Sequence, residues 1–472
     1  MDCVRTERDS MGEIRVPDDA MYGAATQRAV VNFPVSGHRM PPAFLRALGL
    51  VKWAAAQVNG RRGLIPPAKA SAIADAALEI YAGKFEEHFP VDVFQTGSGT
   101  STNMNANEVI ARRAMEILRL HGEPAPAIHP NDDVNHGQSS NDIIPTALHL
   151  SVALALHTGL VPALDQLGEA LEHKAQAWHG VVKIGRTHLM DAVPMTLAQE
   201  FSGYAAQARK AAQRGRKGVA ALTELAIGGT AIGTGLNASP GFAAEVCRII
   251  AENTGLGFRE AANHFEAQAA RDDCVEVAGH LNAIGAALTK VANDIRLLGS
   301  GPRTGFAELR LPALQPGSSI MPGKVNPVMS ETVVQVCLYA TGLCATVAMA
   351  GRDGQLELNA TLPVIAYCLH DAIACLTQAA RLFTERCVVG LEANAERCAE
   401  HVTRSLMLVT ALVPHLGYDN AARVAKRALA ENRTLREIVL EEKILDPATL
   451  DRALDPWSMT AIQAPPPGGA TG

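Results

Sequence analysis

Apolar positions recur with helical spacing along much of the chain, and in its second half they crowd until few polar positions remain. Ala43 to Gly60 and Ala68 to Gly83 carry the i, i+3, i+4 pattern of amphipathic helices. From residue 143 to about 395 the pattern predicts five long helices, near 143–176, 196–226, 264–299, 328–350 and 362–389, the first kinked at Pro162. Such lengths run well past the usual helix of about 11–12 residues. Between Val333 and Ala350 most positions are Ala, Gly, Val or Leu. A helix that is apolar nearly all round must be buried. One chain has too few helices to cover five of them, so self-association is expected.

The flanks read differently. Residues 1–140 mix short strand and turn signals with helices, and two or three short helices follow the long ones, Glu396 to Leu406 and Asn420 to Glu442. The expected organisation is mainly α. A mixed N-terminal domain spans 1–140, a central long-helix bundle 141–395 and a small helical domain 396–460. A disordered tail spans 461–472, where Pro465, Pro466, Pro467 and two glycines end the chain.

Composition narrows the class. With 48% hydrophobic and 19% charged residues the chain can build a sizeable core. A net charge of −6 gives no reason to expect nucleic-acid binding. Nine cysteines make an odd set without a CxxC spacing. Cys337/Cys344 and Cys368/Cys375 stand seven apart, ~10 Å along a helix and too far to bridge. They read as small buried hydrophobes in a reducing compartment. The N-terminus lacks an apolar targeting core. No uncharged apolar stretch of about 18 residues stands out as a membrane span. The expectation is a soluble, cytoplasmic protein.

Chemistry gathers in a few polar segments. Gly317-Ser318-Ser319-Ile320-Met321-Pro322-Gly323-Lys324-Val325-Asn326-Pro327 offers hydroxyls, a turn and a lysine. Asn326 is a good N-cap and Pro327 suits a first helical position, so the loop feeds a helix N-terminus that favours an anion. It is not a nucleotide P-loop: five residues separate its glycines where four are needed, and Val325 replaces Ser/Thr. Gln95 to Glu108 and His129 to Asp142 are rich in Ser, Thr and Asn. His129, Asp132, Asp133 and His136 fit no standard zinc spacing. Lys183 to Asp191 reads as a loop holding His188 beside Arg186 and Thr187, and Ile227 to Gly235 as a tight glycine-rich turn. No metal set, dinucleotide motif or thiolate signature appears, and no cofactor is implied. The inventory suits proton chemistry on a small, oxygen-rich, multiply charged substrate.

The 317–327 loop resembles the GSSxMPxKxN signature of the fumarase/aspartase superfamily, and similar blocks run from about Met11 to about Ala425. His188, Ser140 and Asp133 match the class II fumarase form, where aspartase-type chains usually carry Gln, Thr and His. Val328 with Val333 to Cys337, and Gly354 to Asn359, look more like aspartase blocks. His136-Gly137 and Ala360-Thr361-Leu362 depart from the family pattern. A lyase acting on an amino or methylated C4 dicarboxylate is therefore the alternative.

The resemblance implies a three-domain fold whose helix bundle forms a tetramer core, with fumarate and L-malate interconverted through an aci-carboxylate. It casts Ser318 as the base for the C3 proton, His188 as the group handling the hydroxyl's proton, and Glu331 as the partner of that histidine. Substrate would be held by Ser98, Gly99, Thr100, Ser139, Ser140, Asn141, Thr187, Ser319, Lys324, Val325 and Asn326. His129, Pro130, Asn131 and Asp132 match a second, peripheral dicarboxylate site.

Overall fold

The computed structural model describes residues 4–121 and 127–461. Beyond Ala461 the expected disordered tail lies outside the described residues, as does Cys3. Among the described residues the fold is mainly helical, with four two-stranded sheets. It divides into two compact units. One comprises Met1–Ala163, Ala211–Ala286 and Gln335–Gln378, the other Leu164–Lys210, Ala287–Val334 and Ala379–Gly472.

The first unit opens with an antiparallel hairpin, Val4–Asp9 against Gly12–Pro17. The helices Pro42–Arg61 and Pro67–Tyr81 follow, close to the two ranges expected from periodicity. Each begins on a proline at the first helical position, where the missing N–H costs nothing. They pack on one another, closely enough at Gly49 that a Cβ there would stand 2.9 Å from the Ala77 carbonyl oxygen, and both bury apolar residues, among them Leu48, Val51, Ala55, Ile73 and Ala77. Thr100–Leu120 and Ser140–Ala155 bring the polar segments of the sequence onto this scaffold.

Where Pro162 is expected to interrupt the first long helix, a π-turn stands at Leu156–Leu160, after which the helix continues as Val161–Ala177. Proline has no N–H for the preceding turn, and its ring crowds the carbonyl four residues back. The helix expected over 264–299 is two, His264–Ala269 and Asp272–Leu298. Ala270 is extended between them, Arg271 is buried, and Asp272 with Asp273 supplies the acidic first turn of the second helix. Finally, residues 332–351 do form an uncharged, largely apolar stretch, which scattered Thr and Gln positions obscured. Ser140–Ala177, Val328–Gly351 and Leu362–Val388 are long and apolar enough to cross a membrane by length and composition. In the first and third, 67% of the apolar window is buried within the protein; in Val328–Gly351 only 33% is, leaving Leu338, Tyr339 and Met349 exposed.

The second unit contains a hydrophobic cluster of Val402, Leu408, Leu412, Val424, Ile438, Val439 and Leu450, which also takes in Ile184. Ile184 belongs to a β-hairpin, Val182–Thr187 with Met190–Thr196, where the sequence reading had placed a loop.

Candidate active site

In the first unit the Ser/Thr/Asn segments form a cradle of linked hydrogen bonds. Gly99, with φ 72°, precedes the Thr100–Leu120 helix, and a left-handed residue there suits glycine. The Ser98 and Thr100 hydroxyls pair at 2.8 Å. Gln95 Oε1 accepts from the Thr102 N–H at 3.0 Å and its hydroxyl at 2.8 Å. Gly97 is pressed so closely on Ala360 that a Cβ would lie 1.8 Å from the Ala360 carbonyl oxygen, and its own carbonyl accepts from the Leu362 N–H. The divergent Ala360-Thr361-Leu362 stretch thus braces this loop.

Ser139 opens the Ser140–Ala155 helix with a capping box: its hydroxyl accepts from the helix backbone while Asp142 Oδ1 accepts from the Ser139 N–H. The other Asp142 oxygen accepts from the Gly228 and Thr230 N–H groups. That is the task of the glycine-rich 227–235 segment. Asn141 Nδ2 donates to the Ala231 carbonyl. Asn103 Nδ2 donates to Ser140 Oγ at 3.0 Å and to Asn135 Oδ1 at 3.2 Å. Beneath them lies Lys52, 1% exposed, whose ammonium donates to Asn135 Oδ1 and Gln138 Oε1. Burial pushes the Asp142 carboxyl up to about 6, against the pull of the Ser139, Thr230 and Gly228 N–H groups and of Lys52. Burial likewise draws the Lys52 ammonium down to about 7, with Asp142 opposing.

His129 to Asp132 lies at the start of a π-turn, Pro130–Val134, with His129 Nδ1 accepting from the Asn131 and Asp132 N–H groups. His129 and Asn131 line a cavity of about 840 Å³ with Arg5, Arg112 and Arg119. A second cavity, about 670 Å³, reaches from Asn131 and Asp132 to Ser139.

In the second unit, His188 and Leu189 are the two-residue turn of the β-hairpin, with φ 58° and 61°. Both central residues in the left-handed region define the turn that best matches strand twist, and it normally takes Asn-Gly. Here a histidine and a leucine adopt it, with Thr187 and His188 exposed at the tip. The 317–327 loop is closed at its base by Gly317 N–H to the Lys324 carbonyl at 2.7 Å and by Asn326 Nδ2 to the Gly317 carbonyl. The helix begins at Val328, so Asn326 stands outside it and clasps the loop instead of capping the helix. Ser318 Oγ accepts from the N–H groups of Ile320 at 3.2 Å and Met321 at 3.0 Å. Ser319, Lys324 and Val325 are exposed. Glu331 sits in the first turn of the helix, its N–H on the Pro327 carbonyl.

Comparison with known proteins places this geometry in a family. A chain from Xylella fastidiosa named class II fumarate hydratase is 49% identical over 459 residues, covering 97% of this chain and 96% of its own. One of the same name from Mycobacterium tuberculosis is 52% identical over 464 residues, with the same two coverages. The protein belongs to the class II fumarate hydratase family. A lyase family model matches residues 12–342 and a fumarase C C-terminus model residues 408–461. The crystal structure of a class II fumarase from Schistosoma mansoni superposes with a TM-score of 0.93 at 41% identity, covering 97% of this chain and 99% of that one.

In this member of the family, Thr100, Ser139, Ser140 and Asn141 lie on the cradle of the first unit and Thr187, His188, Ser318, Lys324 and Asn326 in the second. Sequence reasoning missed the supporting groups Lys52, Asn103, Asn135, Gln138 and Asp142. Asp142 was legible: Ser139 followed three residues later by an acid is a capping-box spacing. Lys52 was a lone cation in the apolar run from Leu48 to Ala56.

Proposed function

We propose that the protein is a fumarate hydratase, a hydro-lyase that interconverts fumarate and L-malate in the tricarboxylic acid cycle. The observation that carries the chemistry is the pair of N–H groups, from Ile320 and Met321, on Ser318 Oγ. A serine hydroxyl is a weak base unless its alkoxide is stabilised, and two backbone donors on the oxygen supply that stabilisation. In this reading Ser318 takes the C3 proton. The charge that spreads into the neighbouring carboxylate is met by Lys324, Asn326 and the N–H groups opening the Val328–Gly351 helix. His188 exchanges the proton of the hydroxyl on the other side, directly or through water, with Glu331 as its partner. Thr100, Ser139, Ser140, Asn141 and Thr187 grip the carboxylates, with Ser98, Gly99, Ser319 and Val325 completing the surround. His129, Pro130, Asn131 and Asp132 form a peripheral dicarboxylate site.

Three finer points belong to the same proposal. The chain acts as a homotetramer with D2 symmetry, supported by the exposed apolar face of Val328–Gly351. Each site then takes the Thr100 to Asn141 cradle, the His188 hairpin and the Ser318 loop from three different subunits. The functional regions are 1–140, 141–395 and 396–460, the last supported by its own hydrophobic cluster. The location is the cytoplasm, supported by eight free cysteines among the described residues.

The names of the relatives do not favour an amino-acid substrate. The test is fumarate formation, followed by ultraviolet absorbance, from L-malate and from L-aspartate. Turnover of L-malate with none of L-aspartate is expected; faster release from aspartate would overturn the reading.

A further inference from the structure

The His188 hairpin needs an anchor. It is two short strands, and its turn holds two non-glycine residues in the left-handed region, a strained conformation that persists only where the surroundings over-determine it. The strand that leads to His188 carries Lys183 and Arg186. Residues three apart on a regular strand face opposite ways. Here the register shifts between Ile184 and Arg186, a bulge at Gly185, and the extra residue turns Arg186 back to the side of Lys183. Glycine fits the bulge closely: a Cβ there would stand 3.1 Å from the Val193 carbonyl oxygen.

Both cations converge on one carboxylate, Glu308, which is 0% exposed. Lys183 Nζ reaches it at 3.0 Å and Arg186 Nη2 at 2.7 Å. His401 Nδ1, from the Ala395–Arg404 helix, lies 2.9 Å from the same Oε1 that Arg186 holds. Lys183, itself 1% exposed, has Glu200 as its second acid at 2.7 Å. Arg186 also lies over the Phe306 ring, 4.2 Å from its centroid.

A buried ionic cluster is a poor source of stability, because desolvation offsets much of the attraction. What it supplies is registry. We propose that Glu308 is a positioning residue for the reaction: it fixes the hairpin through Lys183 and Arg186, ties it to the C-terminal region through His401, and so sets where the His188 imidazole stands. The inference rests on His188 being the acid–base group of the proposed site.

The test uses full-length protein and the malate-to-fumarate assay. Glu308→Gln keeps the shape and removes the charge. Misplacing a reacting group by an ångström costs up to ~10² in rate, so kcat is expected to fall between ~10- and ~10²-fold with KM within about threefold. The discriminating readout is a double-mutant cycle with His188→Asn. If Glu308 acts through His188, Glu308→Gln costs nothing further in the His188→Asn background. A merely structural role lowers activity by the same factor in both backgrounds, and that result overturns the proposal. So does an unchanged kcat in folded Glu308→Gln. Should that variant not fold, Arg186→Lys keeps the charge and loses the guanidinium fork, and the same cycle applies with the same two outcomes. The parent reading fails separately, if His188→Asn alone keeps wild-type kcat.

Discussion

The cradle around Ser139 and the loop around Ser318 are both polar, yet they are built in opposite ways. In the cradle the supporting donors are already committed: Asn103 to Ser140 and Asn135, Lys52 to Asn135 and Gln138, Gly228 and Thr230 to Asp142. It is floored by buried charge and pinned by backbone contacts such as Gly97 on Ala360. The loop has few ties, is exposed from Ser319 to Val325, and presents Ile320 to solvent at 83% exposure. In the reading proposed above, the cradle is preorganised to hold carboxylate and the loop carries the base and the groups that meet the developing charge. On that reading KM answers mainly to the first and kcat to the second.

The sharpest way to break that division is Ser318→Ala combined with a mixing experiment. The alanine is expected to lower kcat at least ~10²-fold, the usual scale of a lost general base, while leaving the melting temperature unchanged because the side chain supports only its own loop. His188→Asn is expected to be similarly inactive. In the tetramer with composite sites proposed above, these two dead variants, unfolded and refolded together in equal amounts, draw the two donors from different subunits. Each donor is intact with a chance of about one half, so activity returns toward roughly a quarter of wild type. Hybrid tetramers, seen by native mass spectrometry, that stay as inactive as their parents would place both residues of a site on one subunit.

Gly97→Ala tests the cradle side. A Cβ at 1.8 Å from a backbone oxygen cannot be absorbed by a rotamer change, and overpacking of this sort costs about 1–3 kcal/mol. The expected result is a lower melting temperature and a raised KM, with kcat less affected, since the Ser98–Thr100 turn would shift its hydroxyls. A variant with wild-type KM and a lowered kcat would assign the turn to the chemistry and not to binding.

What the sequence revealed divides along the same line. The exposed loop was legible as one segment because Ser318, Lys324 and Asn326, the groups proposed for the chemistry, stand within nine consecutive positions. Long helices were legible because burial writes its period over many residues. The supports were not. Lys52, Asn103 and Asn135 meet only in three dimensions, from positions up to 83 apart between Lys52 and Asn135. The His188 turn hid for another reason: its backbone asks for Asn-Gly, and the chain puts His-Leu there, so local propensity argued for a loop. The break at Ala270 was masked because helical spacing resumes at once after Arg271, with Asp272 and Asp273 opening the next helix.

The smallest expected effect, and the most specific to the cradle, concerns pH. Burial holds Lys52 near 7 in the folded protein, against 10.5 for a free lysine. Between those values the unfolded chain binds a proton that the native state does not, so this group makes stability rise with pH across that window, by up to ~1.4 kcal/mol per pH unit. Asp142 works in the other sense at lower pH. Its folded value of about 6 lies above the 3.8 of a free aspartate, the native state holds the extra proton, and stability falls as pH rises between the two. From this pair alone, stability is lowest between about 6 and about 7. Lys52→Met keeps the aliphatic length, removes the titration and also removes the charge that opposes the upward push on Asp142. Urea midpoints measured from pH 5 to pH 10 should then lose the alkaline rise, while Ser319→Ala in the exposed loop leaves the profile as it was. An alkaline slope in Lys52→Met equal to that of the wild type would mean that the cradle's floor does not carry a buried charge, and the contrast between a preorganised cradle and a sparsely tied loop would lose its electrostatic basis.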